Sequence, residues 1–485
     1  MKALALIAAL LAAAPEPPSV AVTGGRVRGE AAADRLVFRG IPFAAPPTGE
    51  RRWRPPEPVG PWRGVRDATA DAPACLQNDY GWNRGDHVFS SEDCLTLDVA
   101  TPSPAGRRPV IVWIHGGSNR AGSPAGMVRS SIVGRGVVLV GVRYRLGVFG
   151  FLSHRAIAAE QSGAAGGYGL MDQIAALRWV RANIARFGGD PGNVTIAGES
   201  AGAQDVGLLL AAPEARALFH KAAMESGTPG FGLPVRPLEE ALRIGDQLDA
   251  ALGTGGDPAT LRRASAGSLL AADRGLHDAA LTADDYLWLR TTVDGRVLPA
   301  DPVDLLKQAP PRPVLIGSNR FELDLPGGRA ARDAFVATGF GANEAAARRF
   351  YRLDRADPAA DARLGTRDQQ IATDLTFRCP AGRVADVLAR AGVPVWRYEF
   401  DGAPDGGMTR HAAEIPYIFD ERRLGGLHLQ DYWAAFAATG DPNRAGLPAW
   451  PRYEPATRRH LLFDARGATP EAGLRAEICN MTERL

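Results

Sequence analysis

Cysteine is scarce in this chain, with four in 485 residues, and no two form a Cys-x-x-Cys pair, so the sequence offers no thiolate metal site. No run of basic residues is interleaved with aromatics. The net charge is only +2, and the positive residues, almost all Arg, are scattered along the whole length, so nucleic acid is not an indicated partner. There is no Ser/Gly/Pro-rich linker between separable halves and no internal repeat. Length alone would suggest two or three domains, but these absences favour one large domain over residues 20–485, with insertions around 229–312 and 324–392. Past the N-terminus no stretch is apolar for the roughly 20 residues a transmembrane helix needs.

What is present is globular: 45% hydrophobic and 23% charged residues, enough for a substantial core. Met1-Lys2, a short apolar run from Ala3 to Leu11 and the small residues Ala12 to Ala14 together predict a secretory signal over residues 1–14, hence a secreted or periplasmic protein. An even number of cysteines, Cys75, Cys94, Cys379 and Cys479, behind such a signal predicts two disulfides, for which chain order alone allows three pairings. Bridging Cys75 to Cys94 would close a short loop and stabilise by about 3 kcal/mol on the chain-entropy account.

Residues 20–45 alternate around glycines and predict small antiparallel strands, and the Pro-rich stretch 42–64, with Trp53 and Trp62, predicts an ordered loop packed on the surface. Leu95 to Val99 alternates like a half-buried strand. Val110–Ile114 and Val137–Val142 are instead continuous apolar runs, the pattern of strands covered on both faces. Ile174, Leu177, Val180, Ile184 and Phe187 recur at three and four and predict a helix from Asp172 to Phe187. Further strands are expected at Lys221–Met224, Val314–Ile316 and Val395–Phe400, and an amphipathic helix at Leu238–Leu252. Strands alternating with helices predict an α/β fold with a mostly parallel central sheet flanked by helices and helical insertions walling a pocket.

The chemistry centres on Gly198-Glu199-Ser200-Ala201-Gly202, which follows the apolar run Val194–Ala197 and precedes an Ala/Leu-rich stretch. A Gly-x-Ser-x-Gly between strand and helix holds the serine hydroxyl exposed on a strained turn, with the following N–H, that of Ala201, directed to an oxyanion. A serine needs a base to take its proton and an acid to orient that base. In the chain order Ser, acid, His, the acid is Glu322 in the loop after Val314–Ile316, with Asp324 as rival. The base is His411 after Val395–Phe400, with His428 and His460 as fallbacks. His115-Gly116-Gly117-Ser118, directly after the Val110–Ile114 run, is the expected second source of oxyanion N–H groups.

These residues resemble the type B carboxylesterase family, the α/β-hydrolases that include carboxylesterases and cholinesterases. Phe38–Ala44 with Arg52-Trp53, Ser91–Leu97, and Phe187–Pro191 running through Gly198–Ala203 are similar to three signatures of that family, and the likeness covers nearly the whole chain. The resemblance implies Ser200 as nucleophile, Glu322 as acid, His411 as base, and Gly117, Ser118 and Ala201 as the oxyanion positions. It further implies that Glu199 and Ser226 are polar groups supporting the site, and that the disulfides are Cys75–Cys94 and Cys379–Cys479. Departures from the family pattern fall at Ser118 and at Asn119, where an aromatic is common, and at Phe321 and Leu323 beside the acid. Trp82 lies near where cholinesterases place a choline-binding tryptophan, at a different distance from the second cysteine. A cation–π role is weighed against a packed loop tryptophan, and the packed reading is preferred.

The expected function is hydrolysis of small carboxylic esters through an acyl-enzyme, without metal or cofactor. The alternatives are an amide- or lactone-acting hydrolase or acyltransferase on the same site, and a binding protein of the same fold. The latter is disfavoured because all three members of the triad are present. Asn119 and Arg120, with Ser118, would make the wall beside the oxyanion turn polar. An inward Arg120 would pair with a substrate carboxylate, and an outward one would meet solvent or a structural carboxylate.

Overall fold

The computed structural model describes residues 17–281, 283–403 and 407–482. The expected signal at residues 1–14 lies outside them. An eleven-stranded sheet runs through the molecule. Its middle is parallel: Val138–Val142, Arg108–Ile114, Gly189–Glu199, Lys221–Glu225, Val314–Asn319, Val395–Asp401 and His460–Asp464 lie side by side in that order. Antiparallel strands finish both edges: Gly467–Glu471 on one side, Thr96–Thr101, Leu36–Pro42 and Glu30–Ala31 on the other. This is the α/β-hydrolase architecture that the resemblance implies.

Continuous apolar runs became strands buried on both faces because helices cover the sheet on each side. One cluster joins Val112, Val140, Ile196 and Val314 to the helices Tyr168–Asn183 and Ala201–Ala211. The other joins Ile111, Leu139, Ala197 and Leu315 to the helix Gln430–Thr439.

Several expectations shift. Thr96–Thr101 is buried throughout rather than half-buried, since it lies between two other strands, and its Asp98 is neutralised by two bonds from Arg143, at 2.9 and 3.0 Å. The helix expected at 172–187 starts at Tyr168 and ends at Asn183, followed by a 3-10 turn over Ile184–Phe187. Its apolar spacing continues through that turn, which is why the two read as one. The amphipathic helix is found at Leu238–Leu252. Ser19–Val22 and Gly25–Arg28 pair as a small hairpin, whereas Leu36–Pro42 joins the large sheet. In the 42–64 stretch Trp53 is buried, its indole N–H donating to the Val148 carbonyl at 2.8 Å, and Trp62 packs across Gly24 and Gly25. Disulfides join Cys75 to Cys94 and Cys379 to Cys479. Among the described residues no helix is long and apolar enough to cross a membrane.

Candidate active site

The four loops singled out in the sequence all leave the carboxyl ends of strands in the parallel middle of the sheet, the end at which open α/β sheets form their crevices. Ser200 follows Gly189–Glu199 and opens the helix Ala201–Ala211, at φ 55° and ψ −124°. Its N–H donates to the Glu225 carbonyl of the adjacent strand at 2.9 Å. The turn is tight enough that side chains at its glycines would collide. A Cβ on Gly202 would lie 2.0 Å from the Ile114 carbonyl oxygen, and one on Gly198 would lie 2.5 Å from Gly202. Ala201 is the first residue of its helix, so its N–H has no acceptor within the helix and stands beside the serine.

The His115–Gly122 turn lies against it. A Cβ on Gly116 would come within 2.9 Å of the Ser200 Cβ. Gly117, Ser118 and Asn119 all have positive φ, at 108°, 56° and 54°. The Arg120 and Ala121 N–H groups both donate to the Gly117 carbonyl at 3.0 Å, closing the turn. Tyr144 braces it from below, its hydroxyl donating to the His115 carbonyl at 2.8 Å. Burial and the nearby Arg143 charge hold His115 at about 4 against the opposing hydrogen bond to Gly116, so the ring stays neutral.

His411 meets Glu322 as expected. Its Nδ1 lies 2.7 Å from Glu322 Oε2, and its Nε2 lies 3.2 Å from Glu199 Oε1. Glu322 is fixed in turn: Oε1 accepts from the Asn319 N–H at 2.6 Å, and its own N–H donates to Thr373 Oγ1 at 3.2 Å. The rival Asp324 does not reach the imidazole and is bonded instead by the Gln369 amide at the surface. His428 faces Glu421, and His460 is buried near Glu471 with its ring pushed down to about 4, chiefly by burial.

Two carboxyls that the sequence reading did not single out complete the cluster. Glu414 is buried, accepting from Ser226 Oγ at 3.1 Å and from Asn319 Nδ2 at 2.7 Å. Glu225 is buried and accepts from Trp433 Nε1 at 2.7 Å. A glutamate ending a wholly buried strand, Lys221–Glu225, was the available signal for the second. Glu414, three residues past His411, offered none.

With so many acids in a dry space, not all can ionise. Burial raises Glu199 to about 8, and it raises Glu414 to about 7 with help from the Glu322 charge. For His411 burial acts downward, but the Glu199 charge and the Glu322 hydrogen bond and charge prevail and push it up to about 9.

The remaining expected site residues divide. Asn119 does not line a pocket and is fully buried: its Nδ2 donates to Asp205 Oδ1 at 3.0 Å, and its Oδ1 accepts from Tyr144. The positive φ turns this side chain into the core, which corrects its assignment to the substrate wall. Arg120 stacks on the Tyr80 ring at 4.0 Å and pairs with Asp285 at 2.6 Å. Trp82 is not the packed loop residue expected. It is 62% exposed, with its ring edge 3.1 Å from where a Gly117 Cβ would stand.

Phe377 lies 5.1 Å from the His411 ring and 5.4 Å edge-on from Phe231, which packs against Ala201. Behind these two aromatics is an apolar pocket lined by Phe231, Leu233, Leu281, Tyr286, Phe335 and Leu375 among others. Its walls come from both expected insertions.

Comparison with known proteins shows the family of the chain. A profile described as the carboxylesterase family matches residues 16–482. The fumonisin B1 esterase of Sphingopyxis macrogoltabida is 35% identical over 462 residues, covering 87% of this chain and 82% of that protein. Carboxylesterase 3 of Pongo abelii is 34% identical over 504 residues, covering 90% and 86%. Among solved structures, a PNB esterase superposes with a TM-score of 0.82 at 32% identity, over 96% of this chain and 99% of the other. A Geobacillus stearothermophilus carboxylesterase gives 0.77 at 33% identity, over 96% and 99%.

Proposed function

This chain belongs to the carboxylesterase family and is a carboxylic ester hydrolase, and from that premise we propose that it works through an acyl-enzyme on Ser200. The observation that carries this reading is the Glu322–His411 hydrogen bond of 2.7 Å, with His411 also 3.2 Å from Glu199, the neighbour of Ser200, at the carboxyl ends of the parallel strands. Ser200 Oγ attacks the ester carbonyl while His411 Nε2 takes its proton, and Glu322 holds the imidazole and stabilises its charged form. The N–H groups of Gly117, Ser118 and Ala201 receive the oxyanion. His411 then protonates the departing alcohol. Water, deprotonated by the same imidazole, releases the acid and restores the serine. Glu199 and Ser226 support the base, Ser226 through Glu414.

The apolar cavity behind Phe231 and Phe377 suits the hydrocarbon part of a small ester. The whole of residues 20–485 acts as one domain whose two insertions wall that cavity. The two disulfides and the signal-like first fourteen residues favour an oxidising location, outside the cell or in the periplasm.

The test pairs fluorophosphonate labelling with turnover of p-nitrophenyl esters of graded chain length, in the wild type and Ser200→Ala. Labelling at Ser200 and loss of both signals in the variant are expected. A variant that still turns over, once shown free of wild-type enzyme, would overturn the assignment.

A further inference from the structure

Arg120 and Asp285 form an ion pair of unequal partners. Arg120 sits on the oxyanion turn, three residues past Gly117, and its side chain is only 17% exposed. Asp285, its acidic partner among the described residues, is 68% exposed. The guanidinium carbon sits 4.0 Å from the Tyr80 ring centre, and the group spends only Nη1 on Asp285 Oδ1, while its Nε is buried with no hydrogen-bond partner. Tyr80, Arg120, Asp273, Arg274, Asp285 and Trp288 surround a cleft of about 230 Å³. Tyr286, adjoining Asp285 in the chain, packs on the cluster of Ala201, Phe231 and Phe377, so this segment borders the reacting centre.

We propose that Arg120, on its Tyr80 platform, forms a subsite for a carboxylate carried by the ester substrate, and that Asp285 occupies it until substrate arrives. The proposal rests on the Ser200 reading above.

The charges facing Arg120 are accounted for one by one. Asp273 is turned to other donors: Trp288 Nε1 at 3.1 Å, the Val148 N–H at 3.1 Å and Asn78 Nδ2 at 3.2 Å. Asp284 is held by His277 Nδ1 at 2.7 Å. Arg274 gives its Nε to Asn78 Oδ1, and its positive charge lines the same cleft. Only Asp285 is free to leave, and it has water to turn to.

An ion pair with one exposed partner is weakly held and screened by salt. The guanidinium is already largely desolvated, so that cost is borne in the free protein and not on binding. A substrate carboxylate tethered through its ester at Ser200 arrives at high effective concentration.

The experiment measures kcat/KM for matched esters with and without a carboxylate. For the acyl half these are p-nitrophenyl hexanoate and the mono-p-nitrophenyl ester of adipic acid. For the alcohol half they are phenyl acetate and 4-acetoxybenzoate. The readout is the ratio of charged to neutral ester, which cancels general damage. In one of the two pairs Arg120→Ala is expected to lower the ratio tenfold or more. Asp285→Asn, a change at an exposed position, is expected to raise it severalfold, and added salt to lower it in the wild type. Ratios unmoved by either variant in both pairs, or a fall with Asp285→Asn, would overturn the subsite. Neutral-ester turnover that survives Ser200→Ala would instead overturn the Ser200 reading, so the two failures are distinguishable.

Discussion

Ser200 pays in backbone strain for its position: φ 55° with ψ −124° is a region that costs a non-glycine residue about 1–3 kcal/mol. Such strain persists where neighbours over-determine it, and here the Glu225 carbonyl and the carbonyls around Gly202 do so. Replacing the hydroxyl in Ser200→Ala is expected to lower turnover by about 10⁴-fold or more, since members of a triad act as a unit. Glu322→Gln should cripple turnover and Asp324→Asn leave most of it, because of these two acids Glu322 is the one that touches the imidazole. The reverse result in steady-state assays would move the acid to Asp324. The pH profile has a definite sign. As the proposed base His411 must be neutral, so the rate is expected to rise with pH. Its carboxylate neighbours favour the charged ring, up to about 9, so the rise should lie above the ordinary histidine range near 6.5. Above about 8 Glu199 is itself charged and holds the proton on His411. Glu199→Gln is therefore expected to move the acid limb of kcat/KM down by about one unit or more, the usual effect of losing an opposite charge at such distance. An unmoved limb would mean that Glu199 does not couple to the base.

At the scale of elements, what the sequence showed plainly was burial on both faces. Val110–Ile114 has no polar interruption and Val194–Ala197 only Thr195, and both proved to be central strands carrying site loops. The Gly-Glu-Ser-Ala-Gly turn was legible because sterics leave no choice there: any side chain at Gly202 runs into the Ile114 carbonyl. What escaped was pairing that depends on distant partners. The closing hairpin of His460–Asp464 and Gly467–Glu471 borrows its edge from Val395–Asp401. Asp98 can be buried only because Arg143 reaches it, so alternation suggested an exposed face where there is none. Asn119 looked like a pocket residue for the same reason, since its partner Asp205 is 86 residues away on another element. That contact carries a prediction. Asn119 ties the oxyanion turn to the helix Ala201–Ala211, and burial has already raised Asp205 to about 7 despite its hydrogen bonds from Gln173 and Asn119. Asn119→Ala should lower kcat more than it changes KM, because the turn's aim matters most when charge develops on the carbonyl oxygen. It should also cost about 1–3 kcal/mol of stability by leaving a buried acceptor unpaired. Equal loss in KM and kcat would make the contact a general prop.

At the scale of the whole molecule, the two disulfides divide the work of stability and function. Cys379–Cys479 joins residues 100 apart, pinning the short C-terminal helix Ala476–Cys479 to the start of the helix Cys379–Arg390. Cys75–Cys94 spans only 19. The loop-closure argument assigns the long bridge about 4.7 kcal/mol and the short one about 3. A chain of 485 residues unfolds with an entropy of about 1 kcal/mol/K, so removing them should lower the thermal midpoint by about 5 and 3 °C respectively. Activity should rank them the other way. The short loop carries Gln77, whose amide accepts from the Gly122 N–H at 2.8 Å and donates to the Gly122 carbonyl at 3.1 Å. It also carries Trp82, set against Gly117. Those contacts brace the far end of the oxyanion turn, a part of the protein the long bridge does not touch. The double variant Cys75→Ser/Cys94→Ser is therefore expected to lose turnover well below its melting temperature, while Cys379→Ser/Cys479→Ser melts earlier and keeps its kcat. Scanning calorimetry beside steady-state kinetics at 25 °C separates the two. If the short bridge proves the larger loss in midpoint and leaves kcat intact, it is a staple like any other, and the bracing of the turn falls to hydrogen bonds that survive without it.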